Sequence, residues 1–167
     1  MKKLAALCVV SLAVVTAGSI RAQEAATPQE AYAKVTAAAI YLAKTGEDGI
    51  ESLGNADRGF IWKDSHVWVA RCESNSCIPN PRSRAAQLKI TEAKCFKTGK
   101  LYILDLCDRV DNPRGAWTIY YAQAQGTQQP RRMVAYMRQV AGRPFQVIAS
   151  VADAVSTMDD LEKISRP

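Results

Sequence analysis

The chain reads as an α+β domain with a five-stranded antiparallel sheet, and three observations predict it. Apolar residues between Ala31 and Leu42 recur at spacings of three and four, the helical period. Stretches rich in β-branched and aromatic residues follow at 66–72 and, in close order, at 116–123, 131–140 and 145–151. The last three are joined by short, turn-like segments, which favours antiparallel neighbours.

The elements follow from the N-terminus. Lys2 and Lys3 precede an apolar run from Leu4 to about Ala17 and then small residues, the layout of a secretory signal peptide cut after Ala22, with Ala17 as the alternative site. The run is shorter than the ~20 residues that cross a bilayer, and no other stretch approaches that length, so no membrane span is expected after cleavage. Cys8 leaves with the signal. Residues 1–22 are thus the signal, 23–27 a polar leader and 28–164 one domain, since about 145 residues fit a single core. Losing Lys2, Lys3 and Arg21 brings the precursor's net charge of +6 to about +3, an ordinary solubility charge that gives no reason to expect nucleic acid as a partner.

Thr27, Pro28 and Glu30 form a helix start with a cap, a proline at the first position and a capping box. The helix runs to about Lys44, with Gly46 as its stop. A short second helix is expected over 47–53, ended by Gly54-Asn55. The strand at 66–72, the polar turn Glu73-Ser74-Asn75-Ser76 and a short strand at 76–79 make a hairpin. Residues 79–97 hold prolines, charges and no clean period, an irregular excursion with a turn of helix near 83–87. Residues 101–110 read as helix, with Leu101, Leu104 and Cys107 or Asp108 one turn apart, and Asp111-Asn112-Pro113-Arg114-Gly115 ends it. The three-strand meander follows. A final helix over 152–164 carries Val155, Met158, Leu161 and Ile164 on one stripe.

Cys72, Cys77, Cys95 and Cys107 remain in the mature chain, an even number that reads as a disulfide framework with three possible pairings. Cys72 with Cys77 is favoured because the two bracket the hairpin turn, and Cys95 with Cys107 follows by elimination. Zinc is the rival reading, but spacings of five and twelve are not those of a paired C-x-x-C ribbon, and no metal or other cofactor is expected.

The order of elements and a series of local motifs resemble the single Cache domain, an extracytoplasmic relative of the PAS fold, over about 28–153. The motifs are Asn55, Gly59-Phe60, Asn80-Pro81, Gly99-Lys100, the strand Gly115-Ala116-Trp117-Thr118-Ile119-Tyr120, and Arg132 with Tyr136. The hairpin turn departs from the family pattern, Cys77 or Ile78 stands where a histidine is usual, and the last strand, Val147 to Val151, lacks its glycine. The resemblance implies a PAS-like sheet with a long N-terminal helix, a helix over a ligand pocket and a C-terminal helix.

Alternation puts His66 and Trp68 on one strand face, and the resemblance implies that this face looks into the pocket. Trp117 and Tyr120 fall on opposite faces; the resemblance places Tyr120 in the pocket and Trp117 under a helix. Arg132 and Tyr136 share a face, and an arginine beside aromatic groups suits a carboxylate, with Arg131 the substitute if the register slips. Tyr102, near the start of the pocket helix, completes the candidates. Each has a structural alternative: core packing for the aromatic residues, a satisfied structural histidine for His66, a surface charge for the arginines.

One histidine and the lack of G-x-S-x-G, H-E-x-x-H and phosphate-loop motifs give no support to an enzyme. The function expected is therefore a periplasmic or secreted small-molecule sensor domain for a small organic ligand, a carboxylate among the candidates, acting through a partner such as a membrane sensor or another periplasmic protein. The alternative is a structural or protein-interaction module whose pocket is filled by its own side chains.

Overall fold

A computed structural model describes residues 24–78, 88–123 and 129–166. The first helix, α1 (Pro28–Thr45), begins where expected: the Thr27 side chain accepts from the Glu30 N–H while the Thr27 N–H donates to Glu30 Oε2 at 2.9 Å. It ends at Gly46, whose φ of 66° suits glycine. Three short 3₁₀ turns follow, Gly46–Gly49, Glu51–Gly54 and Ala56–Arg58, in place of the single short helix expected over 47–53. Asn55 caps the third by accepting from the Asp57 N–H, and Gly59 leaves it in the left-handed conformation, turning Phe60 into the core.

The strands are β1 (Ile61–Trp62), β2 (Ser65–Arg71), β3 (Ser76–Ile78), β4 (Leu88–Lys89), β5 (Ala116–Gln123), β6 (Pro130–Gln139) and β7 (Gln146–Ala152). They form one antiparallel sheet in the order β4-β3-β2-β7-β6-β5, with β1 paired to β2 outside that path. All five expected strands are present; the two that sequence patterning missed, β1 and β4, are two-residue edge pieces too short to show a period. The remaining helices are α2 (Tyr102–Cys107) and α3 (Met158–Ile164).

Both α2 and α3 are shorter than expected, each for a local reason. The chain leaves α2 in turns at 108–111, and Gly115, at φ 72°, redirects it into β5. Before α3, Asp153 Oδ1 accepts the N–H groups of Val155 and Ser156, a turn that holds the backbone out of the helix until Thr157 caps it with Asp160 in a second capping box. Val155, expected on the helical stripe, therefore lies ahead of the helix and is 86 % exposed, while Leu161 is buried and Met158 and Ile164 pack against the core.

The sheet divides the core in two. On one face Val35, Ala38 and Leu42 of α1 pack on Val67, Val69, Val134, Tyr136, Val147 and Ala149, with Trp117 beneath them. On the other, Trp68, Ala70, Cys77, Tyr120, Met137 and Ile148 meet Ile103 and Leu106 of α2 and Ile90 and Cys95 of the segment leading to it. Among the described residues no helix is long and apolar enough to cross a membrane. The expected signal segment, Asn80-Pro81 and the turn near 83–87 lie outside the described residues.

The expected disulfide pairing is corrected. Cys72 is bonded to Cys107, with Cα atoms 5.6 Å apart, and Cys77 and Cys95 are buried and form no disulfide. The hairpin register explains why: Ala70 lies opposite Cys77 and Arg71 opposite Ser76, so Cys72 is already in the turn and cannot face Cys77.

Candidate functional site

The face of the sheet under α2 carries the candidate site. Register places Cys77 beside Ala70, Ile148 beside Trp68, and Ala135 beside Ser150, so these side chains share one surface with Tyr120. Gly99 and Lys100 act in the approach to α2. The Gly99 N–H donates to the Cys95 carbonyl, the Cys95 N–H to the Lys100 carbonyl, and Lys94 bridges Leu101, so a tight loop sets Tyr102 over the sheet. The Tyr102 ring stacks on Tyr120 with centroids 3.7 Å apart and planes 5° from parallel.

A cavity of about 190 Å³ remains beside this stack, lined by Trp68, Cys77, Lys89, Glu92, Ala93, Tyr102 and Ile103. Its inner wall is aromatic, aliphatic and thiol; Lys89 and Glu92 are exposed residues that place one charge of each sign in its lining. Burial pushes the Tyr102 phenol well above its ordinary pKa, with Tyr120 and Cys77 adding to the rise. Tyr120 is also raised, by burial. Both phenols therefore stay protonated at neutral pH and can donate to an acceptor. Ser150 Oγ, on the same face, is buried beside the Tyr120 hydroxyl.

The pocket helix is pinned at both ends. Cys107 ties its last residue to the hairpin turn. Asp105 accepts from Thr118 Oγ1 at 2.9 Å and pairs with Lys100 and Arg109, each at 2.6 Å. Burial raises the Asp105 pKa, but the hydrogen bonds from Lys100 and Thr118 outweigh it, and the folded value lies below the ordinary 3.8. Its stabilisation is whole above the unfolded value and is lost as pH falls through the lower folded one. Asp105→Asn is thus expected to cost about 1–3 kcal/mol at neutral pH and to flatten the fall of stability below about pH 4. Urea unfolding across that range checks both.

The structure separates the expected ligand residues into two groups. Trp68, Tyr102 and Tyr120 meet under α2 as expected. His66 shares the Trp68 face but is exposed, opposite Ile61 at the far end of β2, and does not line the cavity. Arg132 and Tyr136 do share a face, but it is the α1 face. Arg132 donates to the carbonyls of Asp153 (2.6 Å) and Ser156, clamping the loop between β7 and α3. Tyr136 is fully buried between Tyr32 and Trp117 and donates to the Arg114 carbonyl at 2.6 Å, with burial raising its phenol to about 12. Arg131 points outward, 3.5 Å from Asp64. Sequence reasoning missed Cys77, Lys89, Glu92, Ala93 and Ile103. Cys77 was reachable by carrying the alternation across the hairpin; Lys89 and Glu92 lie in the segment without period. Among the described residues no group of three His, Cys, Asp or Glu side chains is placed to hold a metal.

No family model and no curated protein matches the chain. Among solved structures it is similar to one described as "Structural basis for carboxylic acid recognition by a Cache chemosensory domain", at 10% identity and a TM-score of 0.50, covering 75% of this chain and 88% of that one. It also matches the "Periplasmic sensor domain of chemotaxis protein", at 16% identity and a TM-score of 0.49, covering 75% and 90%. The likeness is one of fold: the chain shares with that Cache domain an α+β arrangement of an antiparallel sheet and a long N-terminal helix.

Proposed function

We propose that the protein is an extracytoplasmic sensor-type domain that binds a small organic molecule, most simply a short monocarboxylate, in the cavity between α2 and the sheet. The observation that carries this reading is the cavity itself: an apolar aromatic wall with a few polar groups on the pocket face of the fold, the usual make-up of a ligand site. Its 190 Å³ is below the ~300–1,000 Å³ of drug-sized pockets, which suits a ligand of few heavy atoms. Lys89 supplies the cation, the Tyr102 phenol a donor, and Trp68 and Ile103 the apolar contact; Tyr120 supports Tyr102 from below. The carboxylic acid recognised by the similar structure supports the ligand class. The signal-like segment 1–22 and the disulfide support export to the periplasm or medium.

The mechanism follows from how α2 is held. A ligand shifts an equilibrium only by its differential affinity for two states, and Tyr102 is at once the first residue of α2 and part of the cavity wall. Binding that favours one position of the Tyr102 ring on Tyr120 biases the position of α2, and a partner protein reads the change.

The stack also supports a second reading, a structural or interaction module, because Tyr102 already fills part of the space. A thermal-shift screen with acetate, propionate, butyrate and pyruvate separates the two. At least one acid is expected to raise the melting temperature, and Lys89→Gln is expected to weaken it at least tenfold while leaving the unliganded melting temperature unchanged. A flat screen on folded protein, or a shift indifferent to Lys89, counts against the ligand reading and favours the second.

A further inference from the structure

A second cavity, of about 170 Å³, lies at the other end of β5, where the loop after α2 meets the last turn of α3. It is lined by three arginines, Arg109, Arg114 and Arg166, against one carboxylate, Glu162. Their existing bonds leave donors to spare. Arg109 is held by Asp105 at 2.6 Å, Arg166 reaches Glu162 at only 3.5 Å, and Arg114 has no carboxylate within ion-pair distance among the described residues. The backbone of Arg114 is nevertheless fixed, its N–H donating to Asn112 Oδ1 at 3.0 Å and its carbonyl accepting from Tyr136.

Trp117 is the independent observation. It lines the same cavity, is 2 % exposed, and its Nε1–H is buried with no acceptor among the described residues. A buried indole N–H normally has a partner, and leaving one unmet costs about 1–3 kcal/mol. Ser165, also in the lining, spends its hydroxyl proton on the Glu162 carbonyl. The cavity thus has guanidinium donors, a lining residue with an unmet indole N–H, and three cationic side chains against one carboxylate. The chemistry that answers this is an acceptor-only anion with several oxygens.

We infer that this cavity is a binding site for a small oxyanion of phosphate or sulfate size, held by Arg114 and Arg166 with Trp117 Nε1–H donating to it. Such an ion joins the end of the α2 segment to the end of α3, both of which pack on β5. The site is separate from the cavity under α2 and does not depend on what that cavity binds.

The three tryptophans provide the test, because Trp62, Trp68 and Trp117 give three indole N–H signals in a ¹H–¹⁵N spectrum of the oxidised protein, assigned by Trp→Phe variants. Phosphate and sulfate are titrated separately, with sodium chloride at matched ionic strength. The expected result is a saturable movement of the Trp117 signal with either oxyanion but not with chloride, the half-saturation rising at least tenfold in Arg114→Gln and in Arg166→Gln. The Trp68 signal, which reports the cavity under α2, is expected to stay in place. Three results would overturn the inference: no saturable movement up to about 50 mM, where even a millimolar site is filled; a movement that chloride reproduces; or a movement both arginine variants leave intact. Both arginines are exposed residues, so loss of the fold is not expected to obscure the outcome.

Discussion

Cys72→Ser, Cys107→Ser and the double variant are each expected to lose about 3–4 kcal/mol of unfolding free energy, with the double no worse than the singles. The bond closes a loop of sequence separation 35, and a cross-link over that length removes about this much from the freedom of the unfolded chain. The loop contains β3, β4 and the whole approach to α2, so its loss falls on the candidate site first. Beyond the global loss, faster amide exchange is expected in 102–107 than in β6 and β7, which are paired on both sides within the sheet. Urea unfolding of the four proteins, with peptide mapping of the unreduced wild type, checks both parts. A Cys72–Cys77 peptide, or a stability loss on mutating Cys72 that Cys107→Ser does not share, would return the pairing to the one the hairpin turn first suggested.

Gly115→Ala is expected to cost about 3 kcal/mol or more. Gly115 sits at φ 72°, a conformation that strains any residue with a Cβ by about 1–3 kcal/mol. An added Cβ also meets the Met137 carbonyl oxygen at 2.5 Å and the Tyr136 hydroxyl at 2.6 Å. Neither can yield easily: Met137 pairs with Ala116 in the β5–β6 ladder, and Tyr136 is buried with its hydroxyl committed to the Arg114 carbonyl. Overpacking of this kind adds about 1–3 kcal/mol. Thermal and urea unfolding measure it; a loss under about 1 kcal/mol would mean that the turn relaxes more freely than these contacts allow.

Much of the fold was legible because its elements carry local signals. The Thr27-Pro28-Glu30 start of α1 and its Gly46 stop are formed by bonds between residues close in sequence, and the structure shows both. The meander was readable for the same reason, its long strands having short connections. The site was legible only by face. Alternation along β2 and β5 correctly separated Trp68 and Tyr120 from Val67, Val69 and Trp117. It could not say on which face Arg132 lay relative to β2, because that depends on the order β2-β7-β6 and the register of two ladders. Arg132, whose place beside Tyr136 suits a carboxylate on sequence grounds, is bonded instead to two backbone carbonyls of the loop between β7 and α3, a stretch whose apolar spacing predicts helix. Lys89, the cation that does line the cavity, stands on a two-residue strand with no pattern to announce it. The disulfide failed similarly: its second cysteine arrives from 35 residues away on a helix whose placement over the hairpin is a tertiary fact.

The most direct test of the central claim, a ligand site between α2 and the Trp68–Tyr120 face, is a ¹H–¹⁵N titration of the oxidised protein with the acid that stabilises it best. The expected result is saturable movement of the Trp68 indole N–H together with the amides of Lys89, Tyr102 and Ile103, while signals around Arg132 and Asp153 stay fixed. Movement centred on Arg132 and Asp153, with Trp68 unmoved, would contradict it.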